Sequence, residues 1–193
     1  MIRIYEAQRL PSLKLLFDVA DHLEAMAKGV VGSCTFMVNT PHSEAAARAC
    51  PADAAVGLHL NLARWKPLGK VAPGHLDASG AFVEAKVEAL TADEVRREAL
   101  AQLARLEALL GRPATHVDVH KHLHRNSNVL EGLIRAAQDT GLPVRSMDAP
   151  TRVALRKAGV RTNDVMLGDA GAQAYWTVDT LEAELASLPE VHV

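Results

Sequence analysis

The stretch Thr115–His124 carries the densest set of side chains that could do chemistry. It holds four of the nine histidines and one aspartate within ten residues. If the stretch begins as a β-strand, alternate side chains share a face. One face would then carry five polar residues: His116, Asp118, His120, His122 and His124. Same-face neighbours lie about 6–7 Å apart on a strand, so one or two histidines could bind a metal ion while the others serve the substrate. The alternative is a histidine-rich loop that binds nothing.

A second candidate, His59, lies in an apolar strand predicted over 54–62. Leucines alternate there with His59 and Asn61. Taken alone, one histidine in such a strand is more often a core or surface residue than a ligand. The strand is followed by an irregular stretch, 63–90, of the kind that often shapes a binding site. Whether His59 is a ligand or a core residue therefore depends on which residues the fold places beside it.

Helices and strands are predicted to alternate along the chain, which indicates an α/β fold with a parallel sheet. No glycine-rich phosphate-binding motif is present, and this favours a barrel over a dinucleotide-binding fold. Residues 149–170 are ambiguous. Apolar periodicity predicts helices over 12–28, 42–50, 91–110, 126–140 and 179–188. Strands are predicted over 1–5, 30–38, 54–62, 142–146, 175–177 and 190–193, and at the start of the histidine stretch.

The chemistry of an α/β barrel sits at the carboxyl ends of its strands. Four polar residues fall at or near such ends in this prediction: Asn39, His59, His120 and Arg145. Their placement raises the expectation that His59 is functional.

Length and composition indicate one soluble domain covering 1–193, with 49% hydrophobic and 23% charged residues. The net charge of −2 gives no reason to expect a nucleic-acid or anionic-membrane partner. Cys34 and Cys50 are too few for a disulfide framework and are expected to be thiols in a reducing cytoplasm. Neither a spanning apolar run nor a signal peptide is visible, so a cytoplasmic location is expected. The sequence does not fix the oligomeric state, and a homodimer is compatible with it.

Several motifs, taken in this order, resemble the YdjC-like carbohydrate deacetylases. The two specific ones are Gly-Leu-His-Leu-Asn-Leu at 57–62 and Thr-His-Val-Asp-Val-His-Lys-His-Leu-His at 115–124. Their combination is far more specific than either alone. Weaker matches extend the resemblance over roughly 28–188: Gly29–Ser33, Phe36–Asn39, Pro67–Leu68, Asp77–Phe82 and Leu142–Arg145.

The resemblance implies a distorted (β/α) barrel of the NodB/YdjC type, incomplete at both ends in this chain. It also implies a metal-dependent hydrolase that removes N-acetyl groups from an amino sugar or oligosaccharide such as a chitooligosaccharide, with Mg or Zn as the divalent cofactor. By the match, His59 and His120 are metal ligands. The chemistry of such a site gives the remaining residues candidate roles. Asp118 could orient a ligating histidine or be an ordinary strand-end aspartate. His122 or His124 could donate a proton or contact the sugar, and Arg145 could bind substrate or pair with an acidic residue.

The sequence departs from the family pattern at both ends. The family takes its third ligand and its general base from an N-terminal Asp-Asp motif, which this chain lacks. The C-terminal His-Pro-Gly motif is also missing. Glu6, Asp18 or Asp21 could substitute for the missing carboxylates. The alternative function is therefore a catalytically impaired or truncated relative that keeps the barrel and binds sugar or metal without turnover.

Overall fold

A computed structural model describes residues 32–166, together with residue 28 and the isolated positions 179, 183 and 186. The strand predicted over 1–5 and the helix predicted over 12–28 lie outside this part, residue 28 excepted. The same holds for the elements predicted after residue 170, apart from the three isolated positions.

A parallel sheet forms the centre of the described part, as the alternating pattern predicts. Its strands are β1 (Ser33–Phe36), β2 (Ala55–Leu60) and β3 (Val117–Val119), in the spatial order β1-β2-β3. The strand predicted over 142–146 is reduced to one parallel bridge between Val117 and Val144. The fold class is therefore α/β with a parallel sheet, and closure into a barrel stays a prediction.

Four helices are present in residues 32–166: α1 (Ser43–Ala49), α2 (Ala92–Leu110), α3 (Ser127–Thr140) and α4 (Ala149–Lys157). The first three match predicted helices. Thr91 forms a capping box with Glu94 at the start of α2, and Asn126 caps α3. Helices α2 and α3 end at glycines with left-handed backbone, Gly111 and Gly141, where no Cβ has to be accommodated.

Helix α4 falls in the stretch that the sequence left ambiguous. Asp148 caps it by accepting a hydrogen bond from the Thr151 amide at 2.9 Å, and Pro150 occupies its first turn. The helix is short and buries only Thr151 and Leu155, so its apolar periodicity is weak. Three short 3₁₀ segments complete the described part: Pro73–His75, Glu84–Ala89 and His120–Arg125.

The histidine stretch corrects one expectation. The strand ends at Val119, and the chain then turns into the 3₁₀ segment His120–Arg125. Within that segment Lys121 and His122 have left-handed backbone, with φ of 53° and 55°. Left-handed residues break the two-residue alternation of a strand. The prediction that His122 and His124 continue the strand face of Asp118 is therefore wrong.

Apolar side chains of β1, β2, β3 and α2 form the core. Five of the described leucines have no exposed surface at all: Leu58, Leu60, Leu62, Leu106 and Leu155. Cys34 and Cys50 are free thiols, as predicted. Among the residues that the structure describes, no helix has the length and apolar character needed to cross a membrane.

Candidate functional site

The carboxyl ends of β2 and β3 bring three of the predicted site residues together. His59 lies opposite Asp118 in the strand register, and His120 follows at the end of β3. All three are buried, with at most 3% of each residue exposed. The rings of His59 and His120 meet edge to face, with 5.3 Å between their centroids and 71° between their planes. Parallel pairing thus places next to each other two histidines that are 61 positions apart in the sequence.

Asp118 lies at the centre of this group. Its Oδ2 is 3.1 Å from Nδ1 of His59, and its Oδ1 accepts hydrogen bonds from the Arg145 guanidinium and from the Val119 amide at 2.7 Å. Burial by itself would raise the pKa of Asp118, but the hydrogen bonds from His59 and Arg145 and the positive charge of the guanidinium outweigh it. The pKa is therefore lowered well below its usual range, and Asp118 stays ionised.

The ionised carboxylate fixes the protonation of His59. A carboxylate can only accept a hydrogen bond, so Nδ1 of His59 must carry the proton. The Thr35 hydroxyl, whose oxygen lies 3.4 Å from the same nitrogen, is a further contact. In a neutral ring this leaves Nε2 with its lone pair. A carboxylate behind one imidazole nitrogen, with the other nitrogen unprotonated, is the usual arrangement of a metal-binding histidine.

The 3₁₀ segment after β3 places two more histidines beside the site. The rings of His122 and His124 are 6.3 Å apart between centroids, at 77°. Within the described part of the chain, neither ring nitrogen of His124 makes a hydrogen bond. Burial disfavours the charged ring and lowers the pKa of His124 to about 4. His124 is therefore neutral at physiological pH.

His116 is separate from this group in its contacts. Its Nδ1 lies 2.8 Å from the Thr115 hydroxyl, and its ring lies against the backbone of Gly57. Burial lowers its pKa. The ring borders a cavity of about 390 Å³ that also reaches Arg145. The other residues lining this cavity come from 143–144 and 162–166: Pro143, Val144, Thr162, Asn163, Val165 and Met166.

Arg145 points its charge at Asp118 rather than at solvent. The residue is 7% exposed, and its second terminal nitrogen contacts the Met166 sulfur at 3.4 Å. Of the two roles left open by the sequence, pairing with an acidic residue is therefore the one that the contacts show.

The described residues contain no group of three or more His, Cys, Asp or Glu side chains arranged to hold a metal ion. The three acidic residues considered as substitutes, Glu6, Asp18 and Asp21, lie outside the described part. The donor set in hand is thus two adjacent histidines, one of them oriented by a carboxylate. Such a pair fits part of a divalent-cation site, and metal ligation by His59 and His120 stays a prediction.

Sequence reasoning missed a polar network beside β2. The side-chain amide of Asn61 donates through Nδ2 to Oδ1 of Asn39 at 3.0 Å and to the Arg64 carbonyl at 2.9 Å. The Gln102 side chain accepts a hydrogen bond from the backbone amide of Asn61 at 3.1 Å and donates one to its backbone carbonyl at 2.8 Å. Asn39 and Asn61 stand at predicted strand ends, which was a usable signal. Gln102 lies 41 positions away on α2, and no local pattern connects it with Asn61.

The family model described as YdjC-like protein matches residues 22–193. Curated relatives include a chitooligosaccharide deacetylase of Serratia marcescens, 37% identical over 131 residues, which are 64% of this chain and 51% of that protein. A carbohydrate deacetylase of Geobacillus stearothermophilus is 38% identical over 152 residues, 76% of this chain and 59% of that protein. The chain thus spans between about half and three fifths of these relatives' length.

A solved structure is also similar. It is that of an Enterococcus faecalis protein assigned to cellobiose-phosphate cleavage, with a TM-score of 0.73 and 27% sequence identity. The match covers 87% of this chain and 69% of that one. The similarity therefore extends over most of the described residues.

Proposed function

Because the chain belongs to the YdjC-like protein family, we propose that it is a carbohydrate deacetylase, a hydrolase that removes N-acetyl groups from an amino sugar or oligosaccharide. The observation that carries this proposal is the buried group His59–Asp118–Arg145 beside His120 at the ends of β2 and β3. The names of the relatives from Serratia marcescens and Geobacillus stearothermophilus support the substrate class.

His59 and His120 are the residues proposed to hold a divalent cation, zinc or magnesium. When bound, such an ion would supply Lewis-acid polarisation of the amide carbonyl and lower the pKa of a water molecule. Asp118 fixes the tautomer and orientation of His59, and Arg145 holds Asp118 in turn. Imidazole ligands suit zinc better than magnesium, which prefers oxygen ligands.

Proton donation to the departing amine is proposed for His122 or His124, both of which are buried and whose rings lie 6.3 Å apart between centroids. A general acid must hold its proton at the working pH. Burial lowers the pKa of His124 to about 4, so His124 is neutral at pH 7 in the absence of substrate.

Metal titration tests the ligand assignment without requiring turnover. Isothermal titration calorimetry with zinc should show binding by the parent chain and a loss of at least about tenfold in affinity for His59→Ala or His120→Ala. The matched control is His42→Ala, because His42 is exposed and lies at the start of α1. Affinity should also fall on acidification, since a protonated imidazole cannot bind a metal. Equal affinity in all four proteins would contradict the assignment.

An acetate-release assay on N-acetylated chito-oligosaccharides tests the reaction. Because the Asp-Asp motif is missing, we expect a slow enzyme. A general base typically contributes 10²–10⁴-fold, so its loss raises the barrier by about 3–5 kcal/mol. Turnover that disappears in His120→Ala supports the deacetylase. Equal background rates in parent and variant would favour the alternative, a relative that binds sugar or metal without turnover.

The architecture proposed for the whole protein is a distorted barrel that continues the three-stranded sheet. The bridge between Val117 and Val144 supports it, because it extends the parallel pairing beyond β3. A single domain over 1–193, a cytoplasmic location and a homodimer remain predictions; sedimentation analysis would decide the last.

A further inference from the structure

Three non-glycine residues of the described chain have left-handed backbone: Trp65, Lys121 and His122. Lys121 and His122 follow β3 in the histidine segment, and Trp65 follows β2 with φ of 65°. Leu60 and Val119, the last residues of β2 and β3, are paired in register. All three strained residues thus follow the same edge of the sheet. Strained backbone in residues with a Cβ persists only where the surroundings enforce it, and it concentrates at functional sites.

A dedicated set of hydrogen bonds enforces the conformation of Trp65. The carbonyls of residues 64–66 each accept at least one. Asn61 Nδ2 donates to the first at 2.9 Å, the Phe82 amide to the second at 2.9 Å, and Asn39 Nδ2 to the third at 3.3 Å. Because two of these donors, Asn39 and Phe82, lie outside the loop, the position of Trp65 is set by the fold as well as by the loop itself.

The same network joins Trp65 to the histidine segment. Phe82, which bonds the Trp65 carbonyl, lies two residues before Glu84. The Glu84 carboxylate accepts from the Lys121 ammonium at 2.6 Å, and Lys121 lies between His120 and His122. Two short contacts therefore connect the tryptophan loop with the residues that immediately follow β3.

The fold holds Trp65 in place but leaves its side chain accessible. The residue is 37% exposed, and nearby Leu68 is 44% exposed, although the leucines of β2 are fully buried. An accessible indole on the loop that follows β2, the strand that carries His59, offers a flat apolar surface to a ligand. A pyranose ring has a matching face of C–H groups, and its hydroxyl groups at the ring edge remain free for water or polar side chains.

We propose that Trp65 is a stacking platform for a sugar ring of the N-acetylated substrate. This inference rests on the proposed function, since it assumes that the ligand of the neighbouring site is a carbohydrate. It assigns binding to Trp65 and no step of the reaction. The left-handed backbone is then the cost of presenting the indole at this edge of the sheet.

Tryptophan fluorescence tests the proposal directly. The chain has two tryptophans, so Trp176→Phe leaves Trp65 as the only reporter. Titration of this variant with N,N′,N″-triacetylchitotriose should give a saturable change in emission. Calorimetry on the otherwise unmodified chain should show that Trp65→Ala weakens binding about tenfold or more, whereas Trp65→Phe, which keeps an aromatic face, loses less. The matched control is Val153→Ala, another exposed apolar residue, on α4.

A pair of variants separates the ring from the backbone. Trp65→Gly and Trp65→Ala both remove the indole, and both should lose sugar binding to the same extent. Glycine accepts the left-handed backbone and alanine does not, so the glycine variant should melt at the higher temperature. This difference in melting temperature, alongside equal loss of binding, excludes general unfolding as the reason for the lost affinity.

The outcomes distinguish this inference from the proposed function. No saturable binding of the trisaccharide by the parent, or equal affinity in parent and Trp65→Ala, would overturn the platform. Acetate release with an unchanged KM in Trp65→Ala would overturn the platform alone. Sugar binding that depends on Trp65, without any acetate release, would overturn the deacetylase and leave the platform standing.

Discussion

At the residue scale, Asp118 decides the state of its neighbours. Its carboxylate is completely buried and accepts hydrogen bonds from the His59 ring and from the positively charged guanidinium of Arg145. Removing one partner from a buried ion pair leaves the other charge without compensation, which costs more than the pair contributes. Asp118 thus links the stability of β3 with the orientation of a proposed metal ligand.

We predict that Asp118→Asn lowers the free energy of unfolding by about 3–5 kcal/mol, because it leaves the buried guanidinium of Arg145 without a counter-charge. Urea denaturation measures this effect. The comparison is Asp139→Asn, which breaks an exposed pair with Arg96 and should cost far less, because water screens the two charges. Equal losses in the two variants would show that Asp118 is not a buried charge pair in solution.

At the element scale, helix α2 fastens the loop that follows β2. Glu94, Glu98 and Gln102 stand four residues apart on one face of the helix, and each bonds backbone groups of the stretch 61–72. Glu98 alone accepts from the amides of Leu68 and Gly69. Burial raises the pKa of Glu98, against the lowering effect of these hydrogen bonds. The helix thereby positions the loop that carries Trp65.

Gln102→Leu should destabilise the protein by about 2–4 kcal/mol, because both backbone groups of Asn61 would lose their buried partner. Thermal or urea unfolding gives the value. Gln138→Leu serves as the control, since the Gln138 side chain is exposed and makes one bond to the Ala158 carbonyl. A loss for Gln102→Leu no larger than for the control would mean that water replaces the missing contacts.

Strand β2 requires a residue without a Cβ at Gly57. A Cβ built there would lie 2.5 Å from the His116 carbonyl oxygen and 2.6 Å from its ring. We predict that Gly57→Ala costs at least about 2 kcal/mol, because the backbone of His116, which immediately precedes β3, cannot move away cheaply. At Gly74 a Cβ meets nothing within 4 Å, so Gly74→Ala should be neutral. Near-equal melting temperatures for the two variants would refute the close approach of β2 and β3.

At the scale of the whole molecule, burial of histidines ties folding to pH. His124 in the unfolded chain binds a proton below about pH 6.5, but in the fold its pKa is about 4. Between these values the unfolded state holds more protons, so stability falls as the pH falls. Burial lowers the pKa of His116 as well, and its effect has the same sign.

Acidification from pH 7 to pH 4 should therefore remove up to about 3 kcal/mol of stability through His124 alone. Urea unfolding of the parent and of His124→Leu, followed over this range, measures the contribution as the difference in slope. Leucine does not titrate, and neither nitrogen of His124 makes a hydrogen bond within residues 32–166 that it would break. Parallel stability curves for the two proteins would contradict the assignment.

The sequence by itself determined the local elements and the family. Alternating leucines around His59, the capping box at Thr91 and the stop at Gly141 act between near neighbours, so patterns of two to four residues suffice to predict β2, α2 and α3. It also singled out His59, Asp118, His120 and Arg145. It did not predict α4, which has too few apolar residues to show a period.

Only the tertiary structure decided how these residues meet. The pairing of β2 with β3 puts Asp118 against His59, and the parallel bridge at Val144 brings Arg145 to the same carboxylate. The turn after Val119 and the left-handed backbone of Trp65 depend on contacts between distant segments, such as Lys121 with Glu84. The physical reason is that such contacts gain their free energy from partners far apart in the chain, whose proximity no local pattern encodes.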